Sequence, residues 1–150
     1  MLVHRIFVPT DFSEHAERAF AYAIELAGLY RASLVIGHVY AVPLVYAGGE
    51  PIAAVPPPDV DTIEADLAAG LQALAQRARD AGATDVKVAV TGGDAAREIA
   101  RLAGEEGCDL IVMGTHGRTG IKHLVLGSIA EKVVRVAECP VLTVGAKAAA

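Results

Sequence analysis

The chain has 150 residues and carries 13 Lys and Arg against 18 Asp and Glu, for a formal charge of −5. That length suits one compact domain, able to enclose a core without disulfides or metals. The acidic balance offers no basic field for nucleic-acid phosphates, and the 53% hydrophobic content is broken into patterned segments, so neither nucleic acid nor a membrane is an expected partner.

No run reaches the roughly 18 apolar residues of a membrane span. The stretch from Arg5 to Asp11 lacks the apolar length and cleavage site of a secretory signal. These features predict a cytoplasmic protein. Cys108 and Cys139 show neither zinc nor redox-motif spacing and are expected as free thiols beside strands.

In chain order, residues 5–8 form an apolar run that ends in Pro-Thr-Asp. Helical spacing follows at Ala16, Ala19, Phe20, Ala23, Ala27 and Tyr30. This predicts a strand, a short loop and a helix. Residues 33–42, with Leu34, Val35, Ile36 and Val39, read as a strand covered on both faces.

Residues 43–58 hold five prolines and the pair Gly48-Gly49, a composition that predicts a long, mobile loop. A second helix is expected from Asp61, where Glu64 completes a capping-box pattern. It buries Leu67, Leu71, Leu74, Ala75 and Ala78 and ends at Gly82.

Val86, Val88 and Val90 alternate with wetter residues, as in an edge strand. A third helix starts from Asp94 with Ala96, Ile99, Ala100 and Ala103 inward. Residues 109–113 form a buried strand, 128–137 a fourth helix and 140–144 a last strand, before an alanine-rich tail at 146–150.

Alternating strands and helices predict one doubly wound, Rossmann-like α/β domain, with a parallel sheet and helices on both faces. Ligands of such sheets bind beyond the carboxyl ends of the strands, where the winding reverses. The loops after the first and fourth predicted strands are therefore the places to look.

The second of these loops is glycine-rich: Gly114, Gly117, Gly120 and Gly127 lie between a buried strand and the helix opening at Ser128. Glycine lets a ligand approach main-chain N–H groups, and a helix N-terminus adds donors and partial positive charge that favour a phosphate. Arg118 could add a charge-assisted hydrogen bond. Neither a Walker pattern nor Gly-x-Gly-x-x-Gly occurs. Ser128 with Glu131 is equally a capping box that needs no ligand, and Asp11 with Glu14 makes the same pattern.

Gly114, two residues, Gly117, nine residues and Gly127-Ser128 resemble the ATP-binding branch of the universal stress protein family. Pro9-Thr10-Asp11-Phe12-Ser13, His38-Val39, Val112-Met113-Gly114-Thr115-His116-Gly117 and Cys139-Pro140-Val141-Leu142 are similar to its other segments. The resemblance implies a five-stranded parallel sheet of order 3-2-1-4-5.

It also implies that Asp11, with Pro9, Thr10 and the backbone at Val39, holds the adenosine. Met113 and Gly114 would then lie along the ribose, and Gly117, Arg118, Gly127, Ser128 and Ile129 around the phosphates. The implied cofactor is ATP, with Mg²⁺ admitted beside it. The implied assembly is a homodimer through the last strand, 140–144, acting as a stress-response regulator or protector.

Two other readings stay open: an enzyme that slowly hydrolyses ATP or transfers adenylate, and a dimer that binds AMP, cyclic AMP or no nucleotide. No residue is assigned a catalytic role. The histidines His4, His15, His38, His116 and His123 are scattered without ligand spacing, so no metal site is expected. His116 is expected to point away from a ligand.

Overall fold

The computed structural model of the chain describes residues 3–55, 58–116 and 126–145. The elements are β1 (Arg5–Pro9), α1 (Glu14–Tyr30), β2 (Ser33–Tyr40), β3 (Leu44–Ala47), β4 (Glu50–Ala54) and α2 (Val60–Asp80). They continue with β5 (Val86–Gly92), α3 (Ala95–Glu105), β6 (Leu110–Gly114), α4 (Ser128–Val136) and β7 (Val141–Val144).

Five strands pair in parallel in the order β5-β2-β1-β6-β7. Counting only these five, the order is the expected 3-2-1-4-5. Each central strand feeds two cores because successive side chains leave a strand on opposite faces. Ile6 and Val8 pack with α1 and α2 through Phe20, Ala23, Leu71 and Ala75. Phe7 points the other way, into the layer that α3 and α4 build from Ile99, Ala103 and Val133.

The helix patterns hold along most of their length. Tyr30, expected inward, is 44% exposed, because the chain reverses at once through a left-handed Arg31 (φ 55). The second helix opens one residue earlier than expected, at Val60 from Asp59, and Asp59 makes no side-chain cap bond. Asp94 caps α3 through Arg97 N. Gly82 (φ 100) follows the end of α2.

Segment 43–58 corrects the expectation of a loop: β3 and β4 form an antiparallel hairpin. Gly48 (φ 61) and Gly49 (φ 85) lie between the paired Ala47 and Glu50. Positive φ at both central residues is what a two-residue hairpin turn requires. Pro51 faces Tyr46 where the register shifts, and a bulge on a two-stranded ribbon tolerates its missing N–H. Pro56, Pro57 and the tail at 146–150 lie outside the described residues. No helix among the described residues is long and apolar enough to cross a membrane.

Two predictions follow from this packing. Phe20 is fully buried, with the Arg77 guanidinium 5.3 Å from its ring centre, and Arg77 also pairs with Glu17 of α1. Phe20→Ala is expected to lower the unfolding free energy by about 3–5 kcal/mol, measured in urea.

Burial, opposed by Arg5 and reinforced by Cys139, Glu106 and Asp109, pushes the Cys108 thiol from 9.0 up to about 12. The folded value lies above the unfolded one. The stability this contributes is therefore complete below about pH 9 and is lost as pH rises toward 12. Between about pH 8 and about pH 10.5 the wild type is expected to lose more stability than Cys108→Ala.

Candidate functional site

The sheet itself opens the site. The last residue of β1, Pro9, pairs with Gly37, and the next amide, Thr10 N, donates to Gly37 O at 2.8 Å. β2 continues to Tyr40. Both backbone groups of a parallel-strand residue point to the same neighbour, alternating along the strand. Gly37 bonds toward β1, so the N–H and C=O of Val39 face the space where β1 is no longer present.

On the other side β6 runs to Gly114, and Thr115 N reaches Val144 O at 3.0 Å. β1 leads into α1 on one face of the sheet, while β6 leads toward α4 on the other. Their loops therefore part, leaving a crevice at the switch point. Pro9, Thr10, Asp11, Val39, Met113 and Gly114 come together around it.

The first wall is a short turn held by its own side chains. Thr10 Oγ1 accepts from Phe12 N and Asp11 Oδ1 from Ser13 N, both at 3.0 Å. Ser13 Oγ accepts from Ala16 N at 3.2 Å, so Ser13 is the N-cap of α1. The capping-box reading of Asp11 is thereby corrected: its carboxylate shapes the turn before the helix.

Phe12 adopts φ 61, a region that bulky residues enter only when the surroundings demand it. Its ring lies 5.4 Å from that of His38 and also abuts the position of Gly70 on α2. His38 Nδ1 lies 2.7 Å from Thr10 O. A carbonyl only accepts, so Nδ1 carries the proton and the tautomer is set. The sequence resemblance included His38 without giving it this task.

The second wall is built on close backbone approaches. Met113 is 5% exposed and buries its side chain between α3 and α4. A Cβ on Gly114 would lie 2.9 Å from His15 O, so glycine lets β6 end directly against α1. Gly127 N donates to Thr115 O at 2.6 Å, and a Cβ there would lie at the same distance from that oxygen. This bond closes the neck of the glycine-rich segment. Gly117, Arg118 and Gly120 lie within it but outside the described residues.

The helix beyond the neck does not start as its sequence suggests. Gly127 is the N-cap of α4, with φ −70 and ψ 156, and no side chain caps the helix. Ser128 is the first helical residue and is exposed; Ile129 is 44% exposed. The capping-box pairing of Ser128 with Glu131 is therefore not formed, and Glu131 instead bonds Arg135 at 2.6 Å. The first turn of any helix leaves backbone donors without intrahelical acceptors. Here the N-cap is a glycine, which has no side chain to fold over them.

Two histidines that are distant in sequence meet at the crevice. His15, in the first turn of α1, and His116, just after β6, have ring centres 5.5 Å apart. His116 Nδ1 lies 2.9 Å from Thr115 Oγ1. His15 Nδ1 is buried and has no hydrogen-bond partner among the described residues. No spacing rule links residues 15 and 116; only the pairing of β1 with β6 does. Among the described residues no group of three or more His, Cys, Asp or Glu could hold a metal ion.

The sequence matches the family described as the Universal stress protein family over residues 3–145. It is 35% identical over 147 residues to universal stress protein MJ0531 of Methanocaldococcus jannaschii, covering 95% of this chain and 82% of that protein.

Among solved structures, a universal stress protein in complex with cAMP superposes with a TM-score of 0.71 at 28% identity, covering 98% of this chain and all of that one. The universal stress protein of Archaeoglobus fulgidus in complex with dAMP does so with a TM-score of 0.65 at 27% identity, covering 95% and 98%. With its family match spanning nearly the whole chain and its fold shared with these structures, this chain belongs to the universal stress protein family.

Proposed function

We propose that this chain is an ATP-binding, homodimeric regulator or protector of the cytoplasmic stress response. The observation that carries the nucleotide reading is the start of α4, which opens without a side-chain cap at the crevice formed by β1 and β6. An uncapped helix N-terminus suits an anion, since donors and partial positive charge point the same way.

In this reading the Val39 backbone, Pro9, Thr10 and Asp11 hold the adenosine. A carboxylate only accepts hydrogen bonds, so Asp11 suits a ribose hydroxyl or the exocyclic amino group. Met113 and Gly114 run along the ribose. The backbone at Gly127 and Ile129 and the Ser128 hydroxyl take the phosphates, joined by Gly117 and Arg118. Mg²⁺ would be held largely by phosphate oxygens and water.

A monophosphate or cyclic monophosphate is the second reading, favoured by the cAMP and dAMP complexes of the two solved relatives. Hydrolysis or adenylate transfer by the same site is the third reading, open to the same experiment. Chromatography separates these readings: ATP released on heating the purified protein supports the first, AMP or cyclic AMP so released the second, and ADP or AMP accumulating at many turnovers per site from added ATP the third.

The dimer would form at β7, whose outer edge has no neighbouring strand in the sheet. Leu142 on that strand is 39% exposed, and Val134 and Val136 of α4 are about half exposed. An unpaired edge beside apolar side chains favours strand-to-strand association.

Three variants test the proposal. Ser128→Ala is expected to weaken ATP binding severalfold in calorimetry, with the melting temperature of the ligand-free protein unchanged because Ser128 caps nothing. Asp11→Ala is expected to weaken binding at least about tenfold, the loss of one charge-assisted hydrogen bond; undiminished affinity would remove Asp11 from the site. Leu142→Lys is expected to shift the protein from dimer to monomer in sedimentation equilibrium.

A further inference from the structure

We propose that Cys108 and Cys139 form a second reactive site, a dithiol that hydrogen peroxide oxidises to an intramolecular disulfide. The two residues are far apart in sequence and lack any redox spacing, yet the sheet brings them together. Cys108 lies two residues before β6 and Cys139 two before β7, at the amino ends of neighbouring parallel strands. They are thus at the amino ends of the strands, opposite the carboxyl ends that form the crevice.

Both thiols line one cavity of about 220 Å³, together with Ala100 and Gly104 of α3, Ile111 and Glu138. The volume is several times the roughly 30 Å³ that a water molecule occupies in the liquid, so a small peroxide fits. Both cysteines are free.

One backbone hydrogen bond ties Cys108 to α3, and another ties the start of β6 to the segment that carries Cys139. Cys108 N donates to Ala103 O at 2.8 Å, and Ile111 N donates to Pro140 O at 3.0 Å. The β6–β7 pairing begins only at Ile111 and Val141. Both cysteines thus precede the ladder, so a disulfide between them, about 2.05 Å long, would leave the β6–β7 ladder pairs intact.

Burial assigns the order of events. Cys108 is 8% exposed, whereas Cys139 is half-buried and reachable from outside. The Cys139 sulfur, once deprotonated, attacks one oxygen of the peroxide. The O–O bond breaks, sulfenic acid forms on Cys139, and the departing hydroxide takes up a proton to become water. The Cys108 sulfur then attacks the oxidised Cys139 sulfur, the S–O bond breaks, and the hydroxyl leaves with the Cys108 proton as a second water. Two thiols and one peroxide become one disulfide and two waters.

Burial, with Asp109 adding, also pushes the Cys139 thiol up. Protonated thiols are poor nucleophiles, so the first step is slow at neutral pH and accelerates as pH rises.

The test uses the whole chain. After treatment with hydrogen peroxide, the intact mass is expected to fall by about 2 Da as two hydrogens are lost, both thiols to become inert to maleimide, and one peptide pair to contain Cys108 linked to Cys139. Dithiothreitol should reverse all three changes. In Cys108→Ala, Cys139 should gain one oxygen that dimedone traps, while in Cys139→Ser, Cys108 should remain a free thiol at the same dose.

A wild-type protein that adds oxygen to its cysteines without the loss of two hydrogens overturns the proposal. So does one that links two chains through Cys139. The wild-type measurement decides even if a variant folds poorly.

Discussion

The amide of Thr10 donates to the carbonyl of Gly37 at 2.8 Å, and with that bond β1 reaches the end of its ladder while β2 continues to Tyr40. This one difference in strand length turns the Val39 backbone toward open space and starts the turn that carries Asp11. It also leaves room for the loop after β6 to face that turn. The turn is then held from several sides: His38 secures the Thr10 carbonyl, Ser13 caps α1, and the partly exposed Phe12 ring rests on His38 of β2 and against Gly70 of α2.

The rigidity behind the crevice comes from the two cores. In β1, Ile6 and Val8 enter one core and Phe7 the other, so a five-residue strand anchors both layers. Because α1 and α4 belong to different layers, their N-termini approach the crevice from opposite faces. The binding groups sit on loops and helix ends, where backbone donors are exposed, while precision is supplied by strands that are almost fully buried. The thiol cavity uses the same parallel pairing at the other end of the strands, where Cys108 and Cys139 precede adjacent β6 and β7.

Much of this was legible in the residues. Continuous apolar runs at 33–42 and 109–113 mark strands covered on both faces, and the spacing of Ala19, Phe20 and Ala23 marks a helix. The hairpin of β3 and β4 is hidden by the prolines around it, which break most ladders; Ala47-Gly48-Gly49-Glu50 is the stronger signal, since two glycines side by side allow the positive φ of a tight turn. At the site, two capping patterns misled. Asp11 and Ser128 each stand three residues before a glutamate, but the pattern does not show which residue starts the helix. Ser13 and Gly127 take those places.

The sequence by itself determined the class of fold, the five parallel strands and the two loops worth inspecting, because periodicity and turn chemistry are local properties. Tertiary structure decided what meets what. His15 and His116 face each other, and Cys108 and Cys139 share a cavity, because parallel strands place side by side segments that the chain separates by a helix or more. It also decided that Gly127 is the N-cap of α4 and that Ser128 caps nothing, since a close approach to Thr115 at 2.6 Å admits only glycine there.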